Sequence, residues 1–299
     1  MQSQSGFFTN PAEDITNLSS PLELMHTSGS GFTVLYKSRQ GGRIRVYKCL
    51  KDSLKGDPLY ENLLRKEFEI GYMLSHPAIC EFYSFAEVPD KGHGIEMEWI
   101  DGKTLAERIE EGSLRKATAE KIILELCDAL EYMHRKQIIH RDLKPENIMV
   151  TTNSDNVKII DFGFSDSDSH LLGKAPAGTR SFASPELLSG EDIDCRSDIY
   201  SLGKIIALMP GGFSAIAEKC TKENRENRYS SAMEVKEAIL KTKKRKWWIL
   251  LAVLISATVI CTALYLLNMS RNQKVVDDLF YQTTDMIKNA GFTEASGQE

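Results

Sequence analysis

The sequence predicts an α+β chain in which strands come first, helices follow, and a single membrane-spanning helix closes the order. Three observations predict it. Residues 22–50 alternate apolar and polar side chains on either side of a glycine-containing turn, the period of half-buried strands. Ile122, Ile123, Leu126, Ala129, Leu130 and Met133 fall on one stripe of a helix over 117–135. Residues 247–267 form a run of 21 without a charged side chain, roughly 30 Å as a helix and so the thickness of a bilayer core. At 299 residues the chain has room for one large bilobal domain and an appendage.

In order, residues 22–36 read as strand, turn and strand, with Ser28, Gly29, Ser30 and Gly31 in the turn. Residues 43–50 alternate as a third strand carrying Lys48, and residues 60–74 have a helical pattern that includes Glu67, Glu69 and Gly71. Gly71 is a soft spot in that helix, by about 1 kcal/mol relative to alanine. Residues 94–105 read as an apolar strand running into a turn and a helix start, and the helix over 117–135 leads to His140–Val150, which reads H-R-D-L-K-P-E-N-I-M-V. A tight loop carrying that order brings an acid, a lysine and an amide to one centre, the set that phosphoryl transfer requires. Asp142 can take a proton from an attacking hydroxyl, Lys144 can steady the transferring charge, and Asn147 can hold a magnesium ion. A strand over 156–160 then feeds Asp161-Phe162-Gly163, with Asp161 lying 19 residues after Asp142.

The loop matches H-R-D-L-K-P-E-N residue for residue, and with D-F-G and Asp198-Ile199-Tyr200-Ser201-Leu202-Gly203 it resembles the eukaryotic-like (Hanks-type) Ser/Thr protein kinases over roughly residues 22–240. The resemblance implies a bilobal protein kinase-like fold, with a small β-rich lobe and a larger helical lobe, and Mg-ATP as the phosphoryl donor, with Mn2+ as an alternative metal. By the same resemblance Lys48 would hold the α- and β-phosphates and pair with Glu67, Glu69 being the second candidate. Asp161 and Asn147 would hold the metal. Ser28, Gly29, Ser30 and Gly31 would form the phosphate cover, although Ser28, Ser30 and Thr33 stand where three of the family's glycines usually sit. Val46 and Met149 would sandwich the adenine, the backbone of Glu98 and Ile100 would bond it, Met97 would guard the back pocket, and Asp101 would reach the ribose. Arg141 would meet an activation segment over 164–180 phosphorylated on Ser165, Ser167, Ser169 or the adjoining Ser181. Asp198 would cap the catalytic loop, and Arg228 would pair with Glu186. Two departures stand out. Gly71 replaces a larger apolar residue and would leave a gap behind the active site, and only sixteen residues separate Gly203 from Cys220, shortening the large lobe where protein substrates usually dock.

A net charge of -5 argues against a globally basic nucleic-acid surface. Lys241, Lys243, Lys244, Arg245 and Lys246 instead crowd beside the apolar run, which places them on the cytoplasmic side by the positive-inside rule and makes anionic lipid a candidate contact. Six cysteines without a C-x-x-C pair suit reduced thiols, not a disulfide framework or zinc site. The polar first twenty residues have no signal-peptide run. The expected organisation is therefore an N-terminal segment (1–20), a kinase domain in the cytoplasm (21–240), a basic juxtamembrane segment (241–246), a bilayer span (247–267) and a short outer tail (268–299) with a short helix over 275–287. Expected partners are proteins bearing Ser/Thr acceptors, with a homodimer as a candidate assembly. The rival reading is a pseudokinase-type scaffold that binds nucleotide; a small-molecule kinase would keep the chemistry and change the acceptor.

Overall fold

In the computed structural model, residues 20–28, 31–162 and 181–295 are described. Gly29, Ser30, Gly163 and the activation-segment positions 164–180 lie outside them. The chain divides into two compact units, 1–239 and 240–299.

The first unit begins with a five-stranded antiparallel sheet in the order β1-β2-β3-β5-β4, built from β1 (Glu23–Thr27), β2 (Thr33–Gln40), β3 (Arg43–Leu50), β4 (Phe82–Val88) and β5 (Gly92–Glu98). Helix α1 (Pro58–Tyr72) packs on this sheet. It starts where the Asp57 carboxylate accepts the Leu59 N–H and Pro58 occupies the first turn, which has no use for an amide hydrogen. The turn from α1 to β4 is tied to the large lobe, because Ile159 N–H donates to Ala78 O and Cys80 N–H to Ile159 O.

Thr104 and Glu107 cap each other's backbone to start α2 (Leu105–Glu110). Helix α3 (Lys116–Arg135) buries the stripe read from the sequence, Ile122, Ile123, Leu126, Ala129, Leu130 and Met133. A small sheet, β6 (Gly102–Thr104), β7 (Ile148–Thr151) and β8 (Val157–Ile159), carries the loop between α3 and β7. Beyond it come α4 (Pro185–Ser189), α5 (Arg196–Leu208) and α6 (Ser214–Cys220). The shortened stretch after Gly203 thus folds as α6 directly against α5; a Cβ at Gly203 would lie 2.4 Å from the Cys220 Cβ, so only glycine permits that approach. One apolar core joins Val46 and Ile95 of the small sheet, Leu64 of α1, Leu126 of α3 and Ile199 of α5.

The gap expected at Gly71 is filled. The buried Phe82 ring occupies the place of a side chain there, its nearest carbon 2.4 Å from where a Cβ would stand. Gly71→Ala should therefore destabilise the fold by roughly 1–2 kcal/mol through overpacking, although helix propensity alone favours alanine by about 1 kcal/mol. Combining it with Phe82→Leu should recover part of the loss, as read by thermal unfolding; equal midpoints for wild type and Gly71→Ala would contradict this packing.

Helix α7 (Ala232–Ala295) crosses the division between the units. Its first two turns bury Ala232, Val235 and Ile239 in the first unit. In the second unit it includes Leu251–Asn289, with a stretch of mean hydropathy 2.1, long and apolar enough to cross a membrane, and side chains 251–289 are exposed. The separate short helix expected over 275–287 is part of this one continuous helix, because neither proline nor glycine interrupts residues 232–290.

Candidate active site

Lys48 sits on β3 opposite Ile95, its side chain nearly buried. Its Nζ lies 2.5 Å from Glu67 Oε1 and 3.1 Å from Asp161 Oδ1. The Phe162 N–H also donates to Glu67 Oε1, at 3.4 Å. Glu69 is exposed, so of the two glutamates considered it is Glu67 that reaches the lysine. Burial works against the Lys48 ammonium, but Asp161 and Glu67 outweigh it and keep the lysine charged well above its usual range. Burial pushes the Glu67 carboxyl above its usual range, despite Lys48 beside it.

The loop after α3 holds the second group of residues. Asp142 Oδ2 accepts from Lys144 Nζ at 2.8 Å and from Asn147 Nδ2 at 3.0 Å, and the Asn147 amide nitrogen also donates to Asp142 O at 2.9 Å. With its nitrogen committed to Asp142, the Asn147 amide would have its side-chain oxygen to offer a metal. That oxygen and the Asp161 carboxylate are hard donors of the kind magnesium takes, few enough to leave positions for phosphate and water. These donors therefore fit a magnesium ion. Burial raises the Asp142 carboxyl above its usual range, with Lys144 pulling it back.

Asp198, fully buried at the start of α5, sets this loop's backbone. Its carboxylate accepts the His140 and Arg141 N–H groups, each at 2.9 Å, and His134 Nε2 at 2.8 Å. Arg141 and Asp161 hold φ values of +65° and +72°, conformations that cost a non-glycine residue roughly 1–3 kcal/mol and persist where surroundings over-determine them. Among the described residues the buried Nε of Arg141 has no hydrogen-bond partner. Phe162 joins the two groups: its ring lies 5.7 Å from Phe82 and 5.6 Å from His140, centroid to centroid. His134 and Phe82 were not singled out in the sequence.

Of the remaining predicted residues, those described lie on or next to β1, β3, β5 and β7. Met97, one residue before the end of β5, is in register with Val46 on β3, and both are buried. The Glu98 N–H donates to Glu81 O at 2.8 Å, and its carbonyl accepts a weak 4.0 Å contact from the Cys80 thiol; Ile100 is buried and Asp101 exposed. Met149 is half-buried on β7, in register with Thr104 and Lys158. Where the phosphate cover is expected, Ser28 Oγ accepts the Gly31 N–H at 2.8 Å, which takes up an amide hydrogen that a phosphate would otherwise find. A separate cavity of about 900 Å³, lined by His76, Glu125, Tyr132 and Lys158 among others, contains none of the predicted site residues.

The sequence matches the family model described as "Protein kinase domain" over residues 26–277. The chain belongs to the protein kinase domain family. Its kinase region is 37% identical over 182 residues to a probable serine/threonine-protein kinase of Streptomyces coelicolor, covering 57% of this chain and 26% of that protein. It is 37% identical over 169 residues to serine/threonine-protein kinase PknB of Mycobacterium tuberculosis, covering 53% of this chain and 27% of the relative. The match thus spans about a quarter of those relatives' length. Among solved structures, the PknI kinase domain of Mycobacterium tuberculosis superposes with a TM-score of 0.57 at 21% identity, covering 73% of this chain and 93% of that one, a likeness of fold. In this kinase domain the large lobe is also braced at its base, where Arg228 donates to both Glu186 oxygens, at 2.7 and 2.8 Å.

Proposed function

We propose that this chain is a membrane-anchored Ser/Thr protein kinase that moves the γ-phosphate of Mg-ATP to protein Ser/Thr hydroxyls, its own among them. The observation that carries the reading is the meeting of Lys48 with Glu67 and Asp161 in the same domain as the Asp142, Lys144 and Asn147 cluster. Bound Mg-ATP supplies the electrophilic phosphorus and the metal's charge neutralisation; Asn147 and Asp161 would hold the metal and Lys48 the phosphates. Asp142 orients the attacking hydroxyl and takes its proton, while Lys144 offsets charge on the transferring group. Arg141 is the group proposed to pair with a phosphorylated activation segment. The apolar stretch of α7 supports anchoring, and the basic residues 241–246 support a cytoplasmic kinase domain with anionic lipid nearby, each Lys or Arg adding about 1 kcal/mol close to the surface.

The test is transfer of radiolabelled γ-phosphate by the purified full chain, with Asp142→Ala beside wild type and phosphoamino-acid analysis of the product. Label on serine or threonine in wild type alone supports the reading. One observation favours a nucleotide-binding scaffold instead: the Ser28 hydroxyl already takes the Gly31 N–H. Equal incorporation in both proteins, or none in either, would favour that scaffold.

A pH profile probes the proposed base. Asp142 must be ionised to accept a proton, and burial raises its carboxyl, so kcat/KM should fall on the acid side at a pH above the ordinary Asp value of about 3.9. Lys144 lowers that carboxyl, so Lys144→Ala should move the acid limb to higher pH as well as slow the reaction. A limb that stays in place in the variant would contradict the pairing.

A further inference from the structure

Beyond the bilayer stretch, α7 continues through 268–295 with its side chains exposed as far as 289, and Val275, Val276, Leu279, Phe280, Met286 and Ile287 are each more than half exposed. Their order is periodic. Set in sevens with Met269 at the first position, the a and d places hold Met269, Asn272, Val276, Leu279, Thr283 and Met286. The flanking e and g places hold only uncharged residues, Phe280, Ile287 and Val275 among them. All six charged residues of this stretch, Arg271, Lys274, Asp277, Asp278, Asp285 and Lys288, fall at b, c or f, on the opposite side. A seven-residue spacing of this kind is the pattern by which two helices bury a shared seam.

We infer that residues 269–289 form a parallel seam with a second copy of this chain. Three features select that occupant. First, the helix leaves the apolar stretch without a glycine or proline before Gly291, so it cannot turn to lie flat on the bilayer surface without breaking. Second, on the membrane-anchored reading, on which this inference rests, every copy enters the bilayer in one orientation and its a and d residues emerge at the same height. Parallel, in-register pairing then needs no other selection. Third, in such a pair each g residue faces the e residue five places on in its partner, which sets Val275 against Phe280 and Gln282 against Ile287; no like charges meet. A partner recognised through charge would find none on this face. The seam would also hold two kinase domains on one side of the membrane as a pair, a substrate and an enzyme for each other.

Cysteine scanning of the full chain in native membranes tests this. In a Cys195→Ser, Cys261→Ser background, single cysteines are placed from residue 274 to 288 and oxidised. Intermolecular disulfides should form several-fold more readily at 276, 279, 283 and 286 than at 274, 277, 281, 285 and 288. Adding Leu279→Asp to the Thr283→Cys protein should abolish its cross-link while leaving the chain in the membrane fraction. Membrane-bound protein with uniform, absent or differently phased cross-linking would overturn the seam and leave the anchored reading intact. Recovery of the chain in the soluble fraction would overturn both.

Discussion

Asp142→Ala should lower the turnover of phosphoryl transfer by roughly 10²- to 10⁴-fold, the usual contribution of a positioned general base, while nucleotide affinity changes little. The nucleotide contacts proposed here run through Lys48, Asp161, Asn147 and the strand residues around Met97, and the Asp142 carboxylate is not among them. Nor should the loop collapse. The Asn147 amide nitrogen keeps its 2.9 Å bond to the residue 142 carbonyl, the loop's backbone is fixed from Asp198, and Lys144 is exposed enough for its ammonium to find water. Removing a buried carboxyl whose ionised form burial disfavours also relieves a desolvation cost, which offsets the lost contacts to Lys144 and Asn147. Steady-state kcat on a peptide acceptor, nucleotide binding by titration and the thermal midpoint separate these effects. A fall in kcat matched by an equal loss of nucleotide binding would mean that Asp142 supports the cleft without acting in the reaction.

The candidate site could be read from the sequence because phosphoryl transfer requires particular residue types in a fixed short order, and Asp142, Lys144, Asn147 and Asp161 carry that order in the chain. The helices were legible where a period could be counted, as in the stripe from Ile122 to Met133. Packing between elements was not. Gly71 read alone as a gap, because only the fold brings the Phe82 ring from the next strand into the space that a side chain would fill. His134 gave no signal beyond its place in the last turn of a helix, since its partner Asp198 lies 64 residues away. Ser28 stands where the family has glycine, and only the folded turn shows its hydroxyl taking the Gly31 N–H. The apolar run ends at residue 267, yet the helix does not; hydropathy marks where a bilayer would end, whereas helix continuation depends on the absence of breakers, and none occurs before Gly291.

Arg228→Ala should destabilise the kinase domain by about 3–5 kcal/mol, because it strands a buried carboxylate instead of merely deleting a contact. The guanidinium is fully buried and grips both Glu186 oxygens, and it also donates to the carbonyls of Arg196, Lys222 and Glu223, so the variant leaves one charge and three carbonyls without this partner. For a domain of this size that loss lowers the thermal midpoint by roughly 10 °C. Burial alone would raise the Glu186 carboxyl, but its hydrogen bonds, those from Arg228 foremost, hold it below the usual range. In the wild type this depressed value contributes stability that is present above the ordinary Glu value of about 4.3 and is lost as pH falls toward the folded-state value. Without Arg228 the sign reverses: burial dominates, the folded state takes up a proton more readily than the unfolded chain, and the variant gains stability as pH drops below neutral. The gap between wild type and Arg228→Ala should therefore narrow between pH 7 and pH 5. A double variant, Glu186→Leu with Arg228→Met, removes both charges and should come within about 1–2 kcal/mol of wild type, since apolar replacements of buried ion pairs are commonly near neutral. If the double variant is instead as unstable as Arg228→Ala at every pH, the three carbonyls, and not the carboxylate, account for the role of Arg228.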